Sequence, residues 1–157
     1  DSMRNLRAMV MPMVMPMVML ATALSLTACD DFVGPWGSSG TYDLLSANGE
    51  PVPAVLYFRG GANRYSVTLT GGELRLRDDD TFTLDLDYVE DDAGVQTRYT
   101  QGIAGEWSTE NDTIWLDYVN PDTGDWTSLG ATRRHGTLEL TIPGAVAGTT
   151  VRTVFAR

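Results

Sequence analysis

Thr81-Phe82-Thr83-Leu84-Asp85-Leu86-Asp87-Tyr88 alternates apolar and polar residues without a break. Phe82, Leu84, Leu86 and Tyr88 fall on one side of an extended chain, and the threonines and aspartates fall on the other. That period of two predicts a strand with one face buried. Tyr65-Ser66-Val67-Thr68-Leu69 repeats the pattern, as do Leu74-Arg75-Leu76-Arg77 and Leu138-Glu139-Leu140-Thr141-Ile142. Ile114-Trp115-Leu116-Asp117-Tyr118 alternates too, with Trp115 on the outer side. Tyr42–Ala47, Ala54–Arg59, Val95–Gln101, Trp126–Arg133 and Val151–Ala156 read as further strands.

Between the strands lie residues that make tight turns. Asn48-Gly49, Gly71-Gly72, Asn111-Asp112 and Asp122-Thr123-Gly124 read as hairpin joints. Asp78-Asp79-Asp80 and Asp91-Asp92-Ala93-Gly94 join the neighbours of the central strand. No long stretch after residue 40 carries a helical stripe with caps. An all-β fold follows: an antiparallel up-and-down barrel of about 8–10 strands over residues 41–157, with a two-sheet β-sandwich as the alternative. Closure is favoured because an open meander leaves two exposed edges.

Gly40-Thr41-Tyr42 opens this region, and Gly105-Glu106-Trp107 opens a later strand that leads to Asn111-Asp112-Thr113-Ile114-Trp115-Leu116. Gly-x-aromatic, polar turn and alternating strand together resemble the small lipocalin-like barrels of bacterial lipoproteins. The chain lacks the helix and the arginine pairing of true lipocalins. The resemblance therefore implies the barrel and not a lipocalin ligand pocket.

The N-terminal region has another character. Arg4 and Arg7 precede a stretch from Ala8 to Ser25 with no charge, which ends in Leu26-Thr27-Ala28-Cys29. A basic start, an apolar core and a small-residue exit are the parts of a secretory signal. The last four residues resemble the lipobox of bacterial lipoproteins. That resemblance implies cleavage before Cys29, lipid on its thiol and an acylated new N-terminus. Residues 1–28 are thus expected to be a signal peptide, with Met3 as its start. Pro12 and Pro16 interrupt the apolar run and disfavour a persistent spanning helix, although its length approaches the roughly 20 residues a span needs. Residues 29–40 are expected to be a lipidated cysteine and a glycine- and serine-bearing tether. As a flexible chain, Asp30–Gly40 reaches roughly 17–20 Å. Phe32, Val33 and Trp36 within it either plug one end of the domain, the favoured expectation, or sit at the membrane interface. The lipid on Cys29 makes a membrane the first expected partner and places the domain outside the cytoplasm. Asp30 leaves inner, outer or surface display open, because acids after the cysteine resemble an inner-membrane signal in enteric bacteria and accompany surface export elsewhere.

Charge narrows the other partners. The chain has 21 acidic residues against 11 basic ones. Without Asp1, Arg4 and Arg7, 20 acids and 9 arginines remain, a net charge of −11. Phosphate binding needs a basic patch, so nucleic acid is not an expected partner. With the only cysteine lipidated, the fold must stand without disulfides.

Residues that carry chemistry are sparse. The single histidine, His135, sits beside Arg133-Arg134 and Gly136 and reads as a turn residue. No nucleophile elbow, phosphate loop, zinc motif or paired-cysteine motif is present, so neither catalysis nor a cofactor is expected. Asp78, Asp79 and Asp80 could offer hard oxygens to calcium, but their spacing fits no EF-hand loop. As a solvated turn they are expected to let Arg75 and Arg77 pair with Asp85 and Asp87. Trp107, Trp115, Trp126, Tyr57, Tyr65, Tyr88, Tyr99 and Tyr118 could line a cavity for an apolar or sugar ligand, or fill a packed barrel. Trp115 and Trp126 are the candidate ligand-binding residues, since two outward tryptophans on neighbouring strands mark an interaction surface. The expected function is a lipid-anchored cell-envelope module that binds a protein partner or a small apolar ligand. The alternative is a hydrolase of envelope glycans that works through two carboxylates.

Overall fold

The computed structural model describes residues 37–146 and 148–157. The expected signal segment 1–28, the expected lipidation site Cys29 and the residues Phe32, Val33 and Trp36 expected to plug the domain lie outside the described residues. Ten strands follow one another: β1 Gly40–Ala47, β2 Glu50–Pro51, β3 Ala54–Arg59, β4 Tyr65–Leu76, β5 Thr81–Asp92, β6 Val95–Glu110, β7 Thr113–Val119, β8 Trp126–Arg134, β9 Thr137–Pro143 and β10 Thr150–Ala156. From β4 to β10 each strand pairs antiparallel with the next, β10 pairs with β1, and β1 pairs with β4. Eight strands thus close into the expected up-and-down barrel. The short β2 and β3 stand outside the closed ring, β2 on the end of β1 and β3 on the start of β4.

Period two places the core. Phe82, Leu84, Leu86 and Tyr88 are all buried, as are Val67, Leu69, Leu116, Leu138 and Leu140. Phe82, Phe155, Leu69, Leu74 and Leu116 are each at most 1 % exposed, so the lumen is occupied by the barrel's own side chains.

One end of the barrel is sealed by hydrogen bonds. The Trp107 indole donates to the Arg77 carbonyl at 2.9 Å, and Tyr42 Oη donates to the Ser38 carbonyl at 2.7 Å. Arg133 donates to Ser38 Oγ at 2.6 Å, and the Arg157 guanidinium lies 5.2 Å from the centre of the Tyr42 ring. The chain enters β1 at this sealed end.

Two joints differ from expectation. Gly71-Gly72 is not a turn: β4 runs straight through it, with a bulge between Leu69 and Gly71. β6 is a single strand of 16 residues rather than two pieces. The other expected turns form. Asn48 and Gly49 both take positive φ, 52° and 88°, as a two-residue hairpin turn requires.

Candidate functional site

The hairpin register settles the expected ion pairs. Arg75 faces Thr83 and pairs instead with Glu73 on its own strand, at 2.5 Å. Asp87 accepts a hydrogen bond from the Thr100 hydroxyl at 2.6 Å. Among the described residues neither Asp85 nor Asp87 pairs with an arginine, because Glu73 and not Arg75 lies across from Asp85. The β5 aspartate that does meet one is Asp91, with Arg64 at 3.3 Å.

Asp78, Asp79 and Asp80 form the exposed β4–β5 turn. Asp79 Oδ1 accepts hydrogen bonds from the Thr81 hydroxyl at 2.6 Å and the Thr81 amide at 3.2 Å. Those bonds hold its carboxyl below the usual range. Among the described residues, no group of three or more His, Cys, Asp or Glu side chains converges to hold a metal ion. His135 lies in the exposed β8–β9 turn with φ 47°.

Trp115 and Trp126 both point outward, 37 % and 72 % exposed. Trp115 lies over Gly130, its partner on β8, where a Cβ would sit 3.2 Å from the ring. Trp126 pairs with Val119, which is itself 49 % exposed. Between them runs the Asp117–Ser128 rung, closed by a hydrogen bond from the Ser128 hydroxyl. The tryptophans therefore share one outer face but form two separate spots, about 13 Å apart along β7.

A denser aromatic group forms at the end opposite the seal. Here β3, β4, β5 and β6 continue past the last rung that β6 shares with β7, Gly105 opposite Tyr118. The result is a four-stranded wall on the rim. Its barrel-side face carries Tyr57, Tyr65, Tyr88, Tyr99 and Glu90. Tyr88 stacks on Tyr99 with centroids 5.3 Å apart, and Tyr57 meets Tyr65 at 6.0 Å. Tyr99 Oη donates to Glu90 Oε1 at 3.1 Å. Arg59 lies over the Tyr65 ring at 5.9 Å.

Burial pushes the Tyr88 hydroxyl up to about 12. Burial and then the bond to Glu90 push Tyr99 up to about 12 as well. Tyr65 is raised for the same reasons, in the same order. Tyr88 Oη is buried and has no hydrogen-bond partner among the described residues. An unmet buried hydroxyl is costly, so Tyr88→Phe is expected to raise stability by about 1 kcal/mol. The raised values also fix a sign. The folded tyrosines keep their protons where unfolded ones lose them, so stability is full below about pH 10 and falls as pH rises toward 12. Denaturant melts across pH 8–12 should show that fall, and the fall should be shallower in Tyr88→Phe.

The wall has an unpaired border. Trp107 N donates to the Asp80 carbonyl, which makes Thr81–Glu106 a non-bonded pair and fixes the alternation along β6. Odd-numbered residues of β6 bond to β5. The amides and carbonyls of Gln96, Arg98, Thr100 and Gly102 point away from it, toward the side that β7 does not reach. At the foot of this edge a crevice of about 50 Å³ opens between β6 and the β7–β8 loop. Leu84, Leu86, Ile103, Tyr118 and Ile142 line its floor, and Gln101, Asn120 and Asp122 stand at its lip. Drug-sized ligands occupy about 300–1,000 Å³, so the crevice suits the end of one side chain. Sequence reasoning named the tyrosines but not this edge. The signal available was the disparity between a long β6 and a short β7.

The chain matches no protein-family model, no curated protein and no solved structure.

Proposed function

We propose that this chain is a lipid-anchored module of a bacterial cell envelope that binds a partner on the rim of its barrel. The observation that carries the binding half is the rim wall. A filled lumen leaves little room for an internal ligand, while β3–β6 present a tyrosine-lined face and an open edge beyond the closed ring. The anchor half rests on Arg4, Arg7, the uncharged run and Leu26-Thr27-Ala28-Cys29. The two halves are compatible: the described chain enters β1 at the sealed end, away from the rim. A body with net charge −11 after cleavage stays off anionic headgroups, and the embedded acyl chains contribute about 0.8 kcal/mol per buried CH₂.

The test is intact mass and fractionation. The membrane-extracted protein should have the mass of residues 29–157 plus acyl chains, and Cys29→Ser should leave the membrane fraction. A full-length mass, or unchanged membrane retention of the variant, would defeat the anchor. Digestion of the protein by protease added to intact cells would assign it to the surface.

A further inference from the structure

We propose that the outer edge of β6, from Gln96 to Gly102, takes up an extended segment of a partner polypeptide in which aliphatic and basic side chains alternate. One aliphatic side chain is seated in the crevice beside Ile103. This deepens the rim-binding reading and rests on it. Three observations carry the proposal.

The first is the edge itself. Residues 95–104 of β6 pair with β5 on one side and, among the described residues, with no strand on the other. Free strand edges are normally blunted by proline, lysine, bulges or short length. This one has no proline, no bulge in its pairing with β5 and a single charge, Arg98. It offers four outward amide–carbonyl pairs to an added strand, the geometry by which extended peptides join a sheet.

The second is the crevice. Its floor is core side chains and its lip includes Gln101, so it lies directly against the edge. An added strand that lays every second side chain toward the barrel brings one of them to this opening. The volume of about 50 Å³ admits an aliphatic tip and excludes a tryptophan-sized group.

The third is charge. Asp85 and Asp87 lie opposite Gly102 and Thr100, Asp122 stands at the crevice, all three are exposed, and Arg98 is the only cation of the edge segment 96–102. Basic residues on the partner complement that field. A second copy of this chain does not, since each copy carries a net charge of −10.

The experiment uses the full chain in detergent and, as probe, an end-capped nine-residue peptide alternating valine with lysine. Hydrogen exchange should slow at the amides of Gln96, Arg98, Thr100 and Gly102 on adding the peptide. Thr100→Pro removes one outward amide at an edge position that tolerates proline and should weaken binding about tenfold. Thr100→Val keeps that amide, loses only the exposed bond to Asp87, and should bind within about twofold of the parent. Absence of protection at the four amides, or equal affinity of the proline variant, overturns the proposal. A dimer in sedimentation that Thr100→Pro dissolves also overturns it, because the occupant is then a second copy. If the proline variant does not fold, exchange in the unmodified chain decides. Loss of lipid at Cys29 leaves edge protection unchanged, so failure of the anchor and failure of the edge are told apart.

Discussion

Leu84→Ala is expected to cost about 2–5 kcal/mol of stability, and Thr83→Ala, one residue away, no more than about 0.5 kcal/mol. Leu84 is 1 % exposed and sits between Leu74 on β4 and Ile103 on β6, on the face that fills the lumen. Truncation removes its buried methyl groups and leaves a void that flanking strands, pinned in a closed ring, cannot collapse. Thr83 lies on the opposite face, opposite Arg75 and Ala104, where water replaces what is lost. In a domain of this size the leucine variant should melt roughly 8–20 °C lower. Equal effects at the two positions would mean that the assigned faces of β5 are wrong.

That pair of positions also shows why the fold was legible. The stretch 81–88 has one apolar and one polar face, and burial on one side of a pleated strand is what period two encodes. The same contrast located the buried faces of β4, β7 and β9. Where contrast fades, so did the reading. Thr97 to Gly102 contains few apolar residues, because this part of β6 lies on the rim wall and buries little; it is a strand through its ladder to β5. Gly71 and Gly72 have no side chains to alternate, so a bulge within β4 is indistinguishable from a turn between two strands.

The candidate site was legible only as residue types. Tyr57, Tyr65, Tyr88 and Tyr99 are recognisable as aromatics, but their meeting around Glu90 depends on register, which residue spacing alone does not specify. Trp115 and Trp126 do point outward as the alternation implies. Their separation depends on the Asp117–Ser128 rung, a partner choice visible only once β7 and β8 are aligned. The free edge of β6 arises from the lengths of two neighbours, 16 residues against 7. It is a property of the pairing rather than of any motif.

Gly105→Ala and Gly71→Ala, the same substitution on adjoining parts of the sheet, are expected to act in opposite directions. Gly105 lies in mid-strand between Phe82 and Tyr118, two buried aromatics. A Cβ there would come within 3.0 Å of the Tyr118 Cα and closer still to the Asp117 carbonyl oxygen. Those are backbone atoms of β7, so no rotamer change relieves the clash, and β6 and β7 must separate at the first rung beyond the free edge. The expected cost is about 3 kcal/mol or more. At Gly71 a Cβ meets only the Asp87 carboxylate oxygen, at 3.7 Å, an ordinary contact. Alanine there restricts the unfolded chain and should stabilise by about 0.4–1 kcal/mol. Denaturant midpoints at unchanged slope measure both. The glycine that stands out in the sequence as a gap in the alternation is the dispensable one. Gly105 is required because the approach of β7 leaves no space for a side chain. A Gly105→Ala protein as stable as the parent would show that β6 and β7 do not approach this closely, and with it the place where the rim edge begins would move.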